Sequence, residues 1–145
     1  MIYRNLLFAD QIPDEVDPGL PQLTPEWTWV AVDGPRVYGV LCAFAQHGMF
    51  WLARARVARK APKTVFRGLV RKALQDARAR GFSAFMCWLM NEREEERRIY
   101  RLLDRRGTTW CYEGDSMLVA GEIESILKPG SQRVRIGAPE LRKAV

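Results

Sequence analysis

Residues 63–89 read KTVFRGLVRKALQDARAR, then a glycine, then FSAFMCWL, and no other stretch indicates the fold as clearly. Apolar residues recur every three or four positions through 63–80, which predicts a helix with one buried face. That face consists of Val65, Phe66, Leu69, Val70, Ala73, Leu74 and Ala77. Pro62 suits the first turn of this helix, and Gly81 suits its end. The apolar run 82–89 then predicts a strand buried on both faces.

Three stretches upstream of the helix are rich in β-branched and aromatic residues, which predicts antiparallel strands. They are residues 27–32, 37–44 and 49–57, with turns at 33–35 and 46–48 between them. Because the last of these strands, the helix and the buried strand follow one another, they predict a βαβ unit with a right-handed crossover.

Less regular patterns follow the buried strand. Residues 92–106 predict a second helix that lies on the surface with a narrow contact to the sheet. Residues 108–112 and 116–120 predict a closing hairpin. Further on, residues 133–136 predict either a short added strand or an arm laid on a partner.

Length and composition indicate one domain, because 145 residues with 48% apolar side chains suffice for a core. We expect this domain to span residues 1–121, with regular structure starting only after an acidic, proline-rich loop at about 9–26. Residues 122–145 are expected to form a C-terminal extension or arm. No run approaches the roughly 20 apolar residues of a membrane span, and no signal-like run follows the N-terminus. We therefore expect a cytoplasmic protein without a membrane partner.

Side chains typical of metal sites and of nucleophilic catalysis are few. Cys42, Cys87 and Cys111 lie far apart, and His47 is the only histidine in the sequence. This spacing does not match a zinc site, so no metal is expected. Each cysteine falls in an apolar, strand-like stretch and is interpreted as a buried free thiol. His47 falls in a predicted turn, where an exposed and inert side chain is the simpler interpretation.

The positive charge of this chain is concentrated in one stretch. The net charge is +6, and residues 54–80 alone carry ten basic side chains and one acidic side chain. Such a concentration indicates an anionic partner, such as the phosphates of a cofactor, a nucleic acid or an acidic protein face. An anion site would use Arg54, Arg56, Arg59, Lys60, Lys63, Arg67 and Arg71. The alternative is an ordinary solvated helix face.

This order of elements resembles the GNAT superfamily of N-acetyltransferases over residues 27–121. The resemblance implies an α/β fold with a mixed, mostly antiparallel sheet, a central βαβ unit and helices on the faces of the sheet. In that family the strand before the long helix splays from the strand after it, and acetyl-coenzyme A enters the gap. The resemblance therefore implies where a cofactor would bind.

The phosphate-binding turn of that family reads Q/R-x-x-G-x-G/A, and its backbone amides hold the pyrophosphate at the start of the long helix. The family's spacing from Gly81 places this turn at residues 62–67, and an earlier register places it at 59–64. Neither window contains a glycine. Side chains would have to replace the amides, and the cofactor-binding candidates are Arg59, Lys60, Lys63, Thr64 and Arg67.

Acid-base groups of the family are also missing from the corresponding positions. Family members often use a carboxylate on the central strands to deprotonate the amine, and a tyrosine on the second helix to protonate the departing thiolate. No Asp or Glu occurs between Gly34 and Gln75. The family's spacing from Gly107 places Leu103 at the tyrosine position. Tyr100, three residues earlier, is the candidate catalytic residue, with a packing tyrosine as the alternative.

Residues 59–67, RKAPKTVFR, also look like a variant of this turn in GNAT-like proteins encoded among the head and internal-virion genes of tailed bacteriophages. That resemblance implies a fold kept as a scaffold, with a protein partner or a homo-oligomer, in a virion or the host cytoplasm. The leading hypothesis is a GNAT-fold protein with a degenerate acetyl-coenzyme A site that acts by binding, as a structural or assembly protein. One alternative is an active acetyl-coenzyme A-dependent N-acetyltransferase, and another is nucleic-acid binding through the basic stretch.

Overall fold

In the residues that the computed structural model describes, 1–20, 22–90, 109–113 and 116–128, the chain forms a seven-stranded sheet with helices. The strands are β1 (Ile2–Asn5), β2 (Thr28–Asp33), β3 (Arg36–Gln46), β4 (Met49–Val57), β5 (Ala84–Met90), β6 (Thr109–Glu113) and β7 (Ser116–Glu122). The helices are α1 (Thr64–Ala79) and α2 (Ile123–Leu127), with short 3-10 turns at Asp14–Val16 and Pro25–Trp27. The sheet order is β1-β2-β3-β4-β5-β7-β6. None of the helices described is long and apolar enough to cross a membrane.

The sheet is mixed, as the order of elements predicted. β4 and β5 pair in parallel and are joined by α1, while the other neighbouring strands described are antiparallel. This confirms the α/β fold with a central βαβ unit. The strands predicted before and after the helix correspond to β2, β3, β4 and β5, and the predicted closing hairpin corresponds to β6 and β7. Their ends differ from the predicted ends by one or two residues at most positions.

Helix α1 presents the predicted apolar stripe to the sheet. Its buried residues are Val65, Phe66, Leu69, Val70, Ala73, Leu74 and Ala77. The helix ends in a Schellman motif, in which Phe82 N–H donates to Ala77 O and Gly81 N–H donates to Arg78 O, each at 3.0 Å. Gly81 has a φ of +97°, a left-handed conformation that glycine adopts without a steric penalty. The predicted helix end is therefore confirmed.

Strand β1 has no counterpart among the predicted strands, and the expectation that regular structure starts after residue 26 is wrong. Ile2 pairs with Val32, so β1 extends the sheet beyond β2. A strand of four residues at the edge of a sheet carries too little alternation to be recognised from sequence. Its Tyr3 ring packs on α1 at Gly68, in the space that a Cβ on this glycine would occupy.

Two apolar clusters lie on opposite faces of the sheet. The larger cluster lies under α1 and includes the fully buried side chains of Trp29, Phe50 and Phe85. The smaller cluster lies on the other face, where the segment between β1 and β2 covers β2 and β3. That segment contributes Leu6, Ile12, Val16, Leu20 and Leu23 to the cluster. The proline-rich segment is thus the cover of one face of the sheet.

The chain just beyond residue 121 contributes to the core, although no element was predicted there. Ile123, Ile126 and Leu127 of α2 are buried. The Ile123 N–H donates to Ser83 O at 2.9 Å, which ties the start of α2 to the residue just before β5. The predicted helix at 92–106 and the predicted strand or arm at 133–136 lie outside the described residues. The predicted division into a domain at 1–121 and a C-terminal extension at 122–145 therefore stays a prediction.

The contact between α1 and β3 predicts a cost for any side chain at Gly39. A Cβ there would lie 2.9 Å from Leu69 Cδ1 and 3.2 Å from Val65 Cγ1, both on the buried face of α1. We expect Gly39→Ala to lower the free energy of unfolding by about 1–3 kcal/mol, because an overpacked core must shift. Urea unfolding measures this. In a Leu69→Ala background the same substitution should cost less, and equal costs in both backgrounds would contradict the contact.

Candidate functional site

β4 and β5 pair over only part of their lengths, and the unpaired stretch between them is called the gap below. Their parallel ladder ends at Leu52 and Cys87, and no further pairing between them is described along β4 or β5. The register of β4 against β3 shifts at the same level and leaves Ala53 as a β-bulge, which bends a strand. The gap therefore lies on the side where β4 leads into α1.

The start of α1 is electropositive. Lys63 is the N-cap residue, and its side chain makes no capping hydrogen bond to any residue described. The first turn contains no acidic residue, so no carboxylate of that turn offsets the positive end of the helix dipole. Two amides near this point are used internally, because Ala61 N–H donates to Ala58 O and Val65 N–H donates to Pro62 O, each at 3.0 Å.

The predicted cofactor-binding residues lie between the end of β4 and the first turn of α1, and their role stays a prediction. All of them are exposed, namely Arg59, Lys60, Lys63, Thr64 and Arg67. The cations in this group form no ion pair within the described part of the chain. Lys63 and Arg67 are four positions apart around the first turn of α1, so they share a face of the helix. Their charges are therefore available to an anion.

Three other basic residues of the predicted anion site are engaged elsewhere. Arg54 donates to Pro18 O at 2.7 Å. Arg56 donates to Asp17 O at 2.9 Å, so both arginines hold the segment before β2 against β4. Arg71 donates to the last carbonyl of α2 at 3.4 Å. Three of the seven cations thus bind backbone carbonyls of this chain, and the single anion site made of all seven stays a prediction.

A carboxylate already occupies one amide of the turn before α1. The Arg59 N–H donates to Glu15 Oε1 at 2.6 Å. The carboxylate therefore takes the position that an anionic ligand of this amide would take. Sequence reasoning missed this contact, because Glu15 lies 44 positions before Arg59 in a segment without helical or strand periodicity.

The carboxylates described near α1 make structural contacts. Asp76 accepts a hydrogen bond from Trp29 Nε1 at 2.7 Å and pairs with Lys72 at 3.1 Å. Glu124 pairs with Arg78 at 2.9 Å. The strands β3 and β4 themselves contain no Asp or Glu. These two strands therefore bring no carboxylate base to the gap.

The candidate catalytic residue, Tyr100, lies outside the described residues, so its role stays a prediction. A different tyrosine, Tyr3 of β1, lies near the start of α1, where its hydroxyl donates to Thr64 O at 3.4 Å. Burial raises the pKa of the Tyr3 hydroxyl above its ordinary value of 10.0, which keeps this group protonated at neutral pH. Sequence reasoning missed Tyr3 because β1 was not predicted.

The histidine and two of the cysteines match their simpler interpretations. His47 is exposed in the turn between β3 and β4, with a left-handed φ of +54°, at the opposite end of β4 from the gap. Cys42 and Cys87 are buried thiols, and the side chain of Cys111 lies outside those described. Burial raises the pKa of Cys42 to about 11. Among the side chains described, no group of three from His, Cys, Asp and Glu could hold a metal ion.

The fold is that of the GNAT N-acetyltransferases. The PaiA N-acetyltransferase of Thermoplasma acidophilum, solved with coenzyme A, is similar with a TM-score of 0.57 and 11% identity over 66% of this chain and 59% of that one. Ard1 of Thermoplasma volcanium is similar with a TM-score of 0.56 and 14% identity over 68% of this chain and 71% of that one. A chain of the NatC complex bound to Gag peptide and CoA gives a TM-score of 0.62 and 14% identity over 83% of this chain and 97% of that one.

At such identities the likeness shows the fold, and the activity has to be argued from the site. This chain spans 59% of the length of the PaiA chain, which is less than two thirds. No protein-family model matches the sequence, and no curated protein matches it.

Substitutions of the carbonyl-bound cations and of the exposed cations should have different effects. We expect Arg54→Ala to lower the free energy of unfolding by about 1–2 kcal/mol, because a partly buried charged hydrogen bond to Pro18 is lost. Lys63→Ala should leave the free energy of unfolding unchanged. The Lys63→Ala variant should elute from heparin at lower salt than the Arg54→Ala variant, because the Lys63 side chain is exposed. Thermal unfolding and a salt gradient measure both effects. If the two variants behave alike in both experiments, the distinction between carbonyl-bound and exposed cations is wrong.

The Cys42 thiol should be inert in the folded protein. Its pKa of about 11 leaves almost no thiolate at about pH 8, and the thiolate is the form that iodoacetamide alkylates. We expect peptide mass spectrometry to find Cys42 unmodified after native treatment and fully modified after treatment in urea. Rapid alkylation without urea would show that the burial of Cys42 is wrong.

Proposed function

We propose that this chain is a GNAT-fold protein with a degenerate acetyl-coenzyme A site, and that it acts by binding, as a structural or assembly protein. The observation that carries this proposal is the composition of the gap, because neither β3 nor β4 contains a carboxylate. An amine must lose a proton before it attacks a thioester. No Asp or Glu of those two strands is present to take that proton.

The phosphate-binding end of the gap supports the same proposal. Backbone amides that point at the ligand are what makes a helix start a good site for a diphosphate. Pro62 has no N–H, Val65 N–H is bonded to Pro62 O, and Arg59 N–H is bonded to Glu15. Fewer amides are therefore available than in a turn with two glycines, where the backbone can also approach the phosphates closely.

The exposed cations at this end suit an anionic partner. Arg59, Lys60, Lys63 and Arg67 form no ion pair with the residues described, so a partner does not have to displace one. An acidic face on another protein would be complementary in charge to this group. The resemblance of residues 59–67 to the variant turn of phage GNAT-like proteins supports a role in a virion or in its assembly.

An active N-acyltransferase is the second candidate, and one observation favours it. β4 and β5 part next to the exposed cations, so a cofactor inserted between the strands would have its phosphates near Lys63 and Arg67. Charged side chains bind phosphate as readily as amides do. The amine would then lose its proton to water or to a group of the substrate itself. The PaiA structure with coenzyme A makes acetyl-coenzyme A the cofactor to test.

Turnover and binding of acetyl-coenzyme A separate these two candidates. We expect no acetyl transfer above the uncatalysed rate to primary amines and polyamines, and no rise in melting temperature at about 1 mM coenzyme A. The reason is that β3 and β4 contain no carboxylate and that few amides before α1 are free to bind phosphate. Free thiol release and thermal unfolding are the two measurements.

Each result has a clear meaning for the proposal. Measured turnover with any amine would overturn it. Coenzyme A could also stabilise the protein without turnover, with the effect lost in Lys63→Ala but kept in Arg54→Ala. That result would agree with a non-catalytic role and would show that the gap binds coenzyme A. DNA retention that falls steeply with salt and weakens in Lys63→Ala would instead favour a nucleic-acid ligand for the same cations.

A further inference from the structure

The Glu15 carboxylate is held at the turn before α1 by a single contact. Its Oε1 accepts a hydrogen bond from the Arg59 N–H at 2.6 Å, and no other hydrogen bond or ion pair of this carboxylate is described. The Glu15 side chain is exposed. Because one exposed hydrogen bond contributes only modestly to stability, a competing anion can displace this side chain without unfolding anything around it.

The backbone that carries this carboxylate is fixed much more firmly. The next residue, Val16, is fully buried in the smaller apolar cluster. The Asp17 carbonyl accepts a hydrogen bond from Arg56 at 2.9 Å. The Pro18 carbonyl accepts one from Arg54 at 2.7 Å. Displacement of the carboxylate therefore needs only a side-chain rotation, and the cover of the sheet stays in place.

The positive charge around the turn exceeds what this one carboxylate balances. Four exposed cations lie within residues 59–67, and none of them forms an ion pair with a residue described, namely Arg59, Lys60, Lys63 and Arg67. A single carboxylate brings one negative charge, whereas a diphosphate brings several together with more acceptor oxygens. An anion with several charges therefore gains more from these cations than Glu15 does.

We infer that Glu15 is an internal competitor at the anion site formed by the Arg59 amide and the exposed cations. A ligand with a single negative charge gains too little to displace Glu15, whereas a diphosphate, or another group with several adjacent negative charges, displaces it. The inference rests on the proposal that these cations bind an anionic partner, and it adds how that binding is controlled.

Calorimetric titration of the full chain with inorganic diphosphate tests this competition. Glu15→Gln keeps the shape of the side chain and removes its charge, so the competing hydrogen bond becomes weaker. We expect Glu15→Gln to bind diphosphate at least about threefold more tightly than the wild type. Glu15→Ala removes the competing group altogether and should gain at least as much.

Asp14→Asn is the matched control. It removes the same charge from the neighbouring exposed residue, whose side chain makes no hydrogen bond to the turn among the contacts described. At about 0.15 M salt we expect it to change the affinity for diphosphate less than about twofold, because screening limits the effect of a charge without contact. A gain as large as that of Glu15→Gln would show a general effect of acidic charge and would overturn the inference.

The Arg59 amide resonance is the second measurement, because it reports the hydrogen bond itself. Adding diphosphate to the wild type should move this resonance. Lys63→Ala should reduce the shift at the same concentration, since one cation of the site is lost. Melting temperatures of the wild type and Glu15→Gln should be nearly equal, which shows that both are folded. An Arg59 resonance that stays in place while diphosphate binds would show that the ligand and Glu15 do not compete for this amide.

The outcomes separate this inference from the proposed function. Equal diphosphate affinities of the wild type and Glu15→Gln would overturn the competition alone. No binding by any variant at about 10 mM diphosphate would overturn both the competition and the anionic partner. Turnover of acetyl-coenzyme A would overturn the non-catalytic proposal and leave Glu15 as a competitor of the cofactor's phosphates.

Discussion

The packing of α1 against β3 and β4 positions almost every other feature of this protein. Gly39 lets Leu69 and Val65 come close to β3, and the apolar stripe of α1 fills the space above the sheet. Because the helix is held there, its cationic start lies beside the end of β4. Its Schellman end turns the chain into β5, parallel to β4. The gap and the exposed cations next to it are consequences of this contact.

The gap lies beside two strands, β3 and β4, that contain no Asp or Glu. Its shape depends on the bulge at Ala53 and on the end of the parallel ladder at Leu52, which are properties of strand pairing. A catalytic base depends on one side chain, and replacing it disturbs no core contact of the strands. The strand pairing of a fold therefore does not by itself decide the chemistry of its site.

The segment between β1 and β2 has a larger part in the site than its irregular sequence indicates. It covers the sheet face opposite α1 through the fully buried Val16. Its backbone carbonyls accept hydrogen bonds from Arg54 and Arg56, and its Glu15 carboxylate binds the Arg59 amide. The basic stretch therefore has two roles, because some of its charges tether this acidic segment and the others face solvent.

Local sequence patterns were sufficient to predict α1, strands β2 to β5 and the closing hairpin, because these elements show clear periodicity. The lack of carboxylates on β3 and β4 could also be read from the sequence, because it depends on residue identity alone. β1 and α2 have four and five residues and owe their stability to distant partners, so no local pattern revealed them. Only the folded chain decided which cations are available. Arg54 and Arg56 meet carbonyls 36 and 39 positions away, and such contacts follow from the packing of the whole sheet.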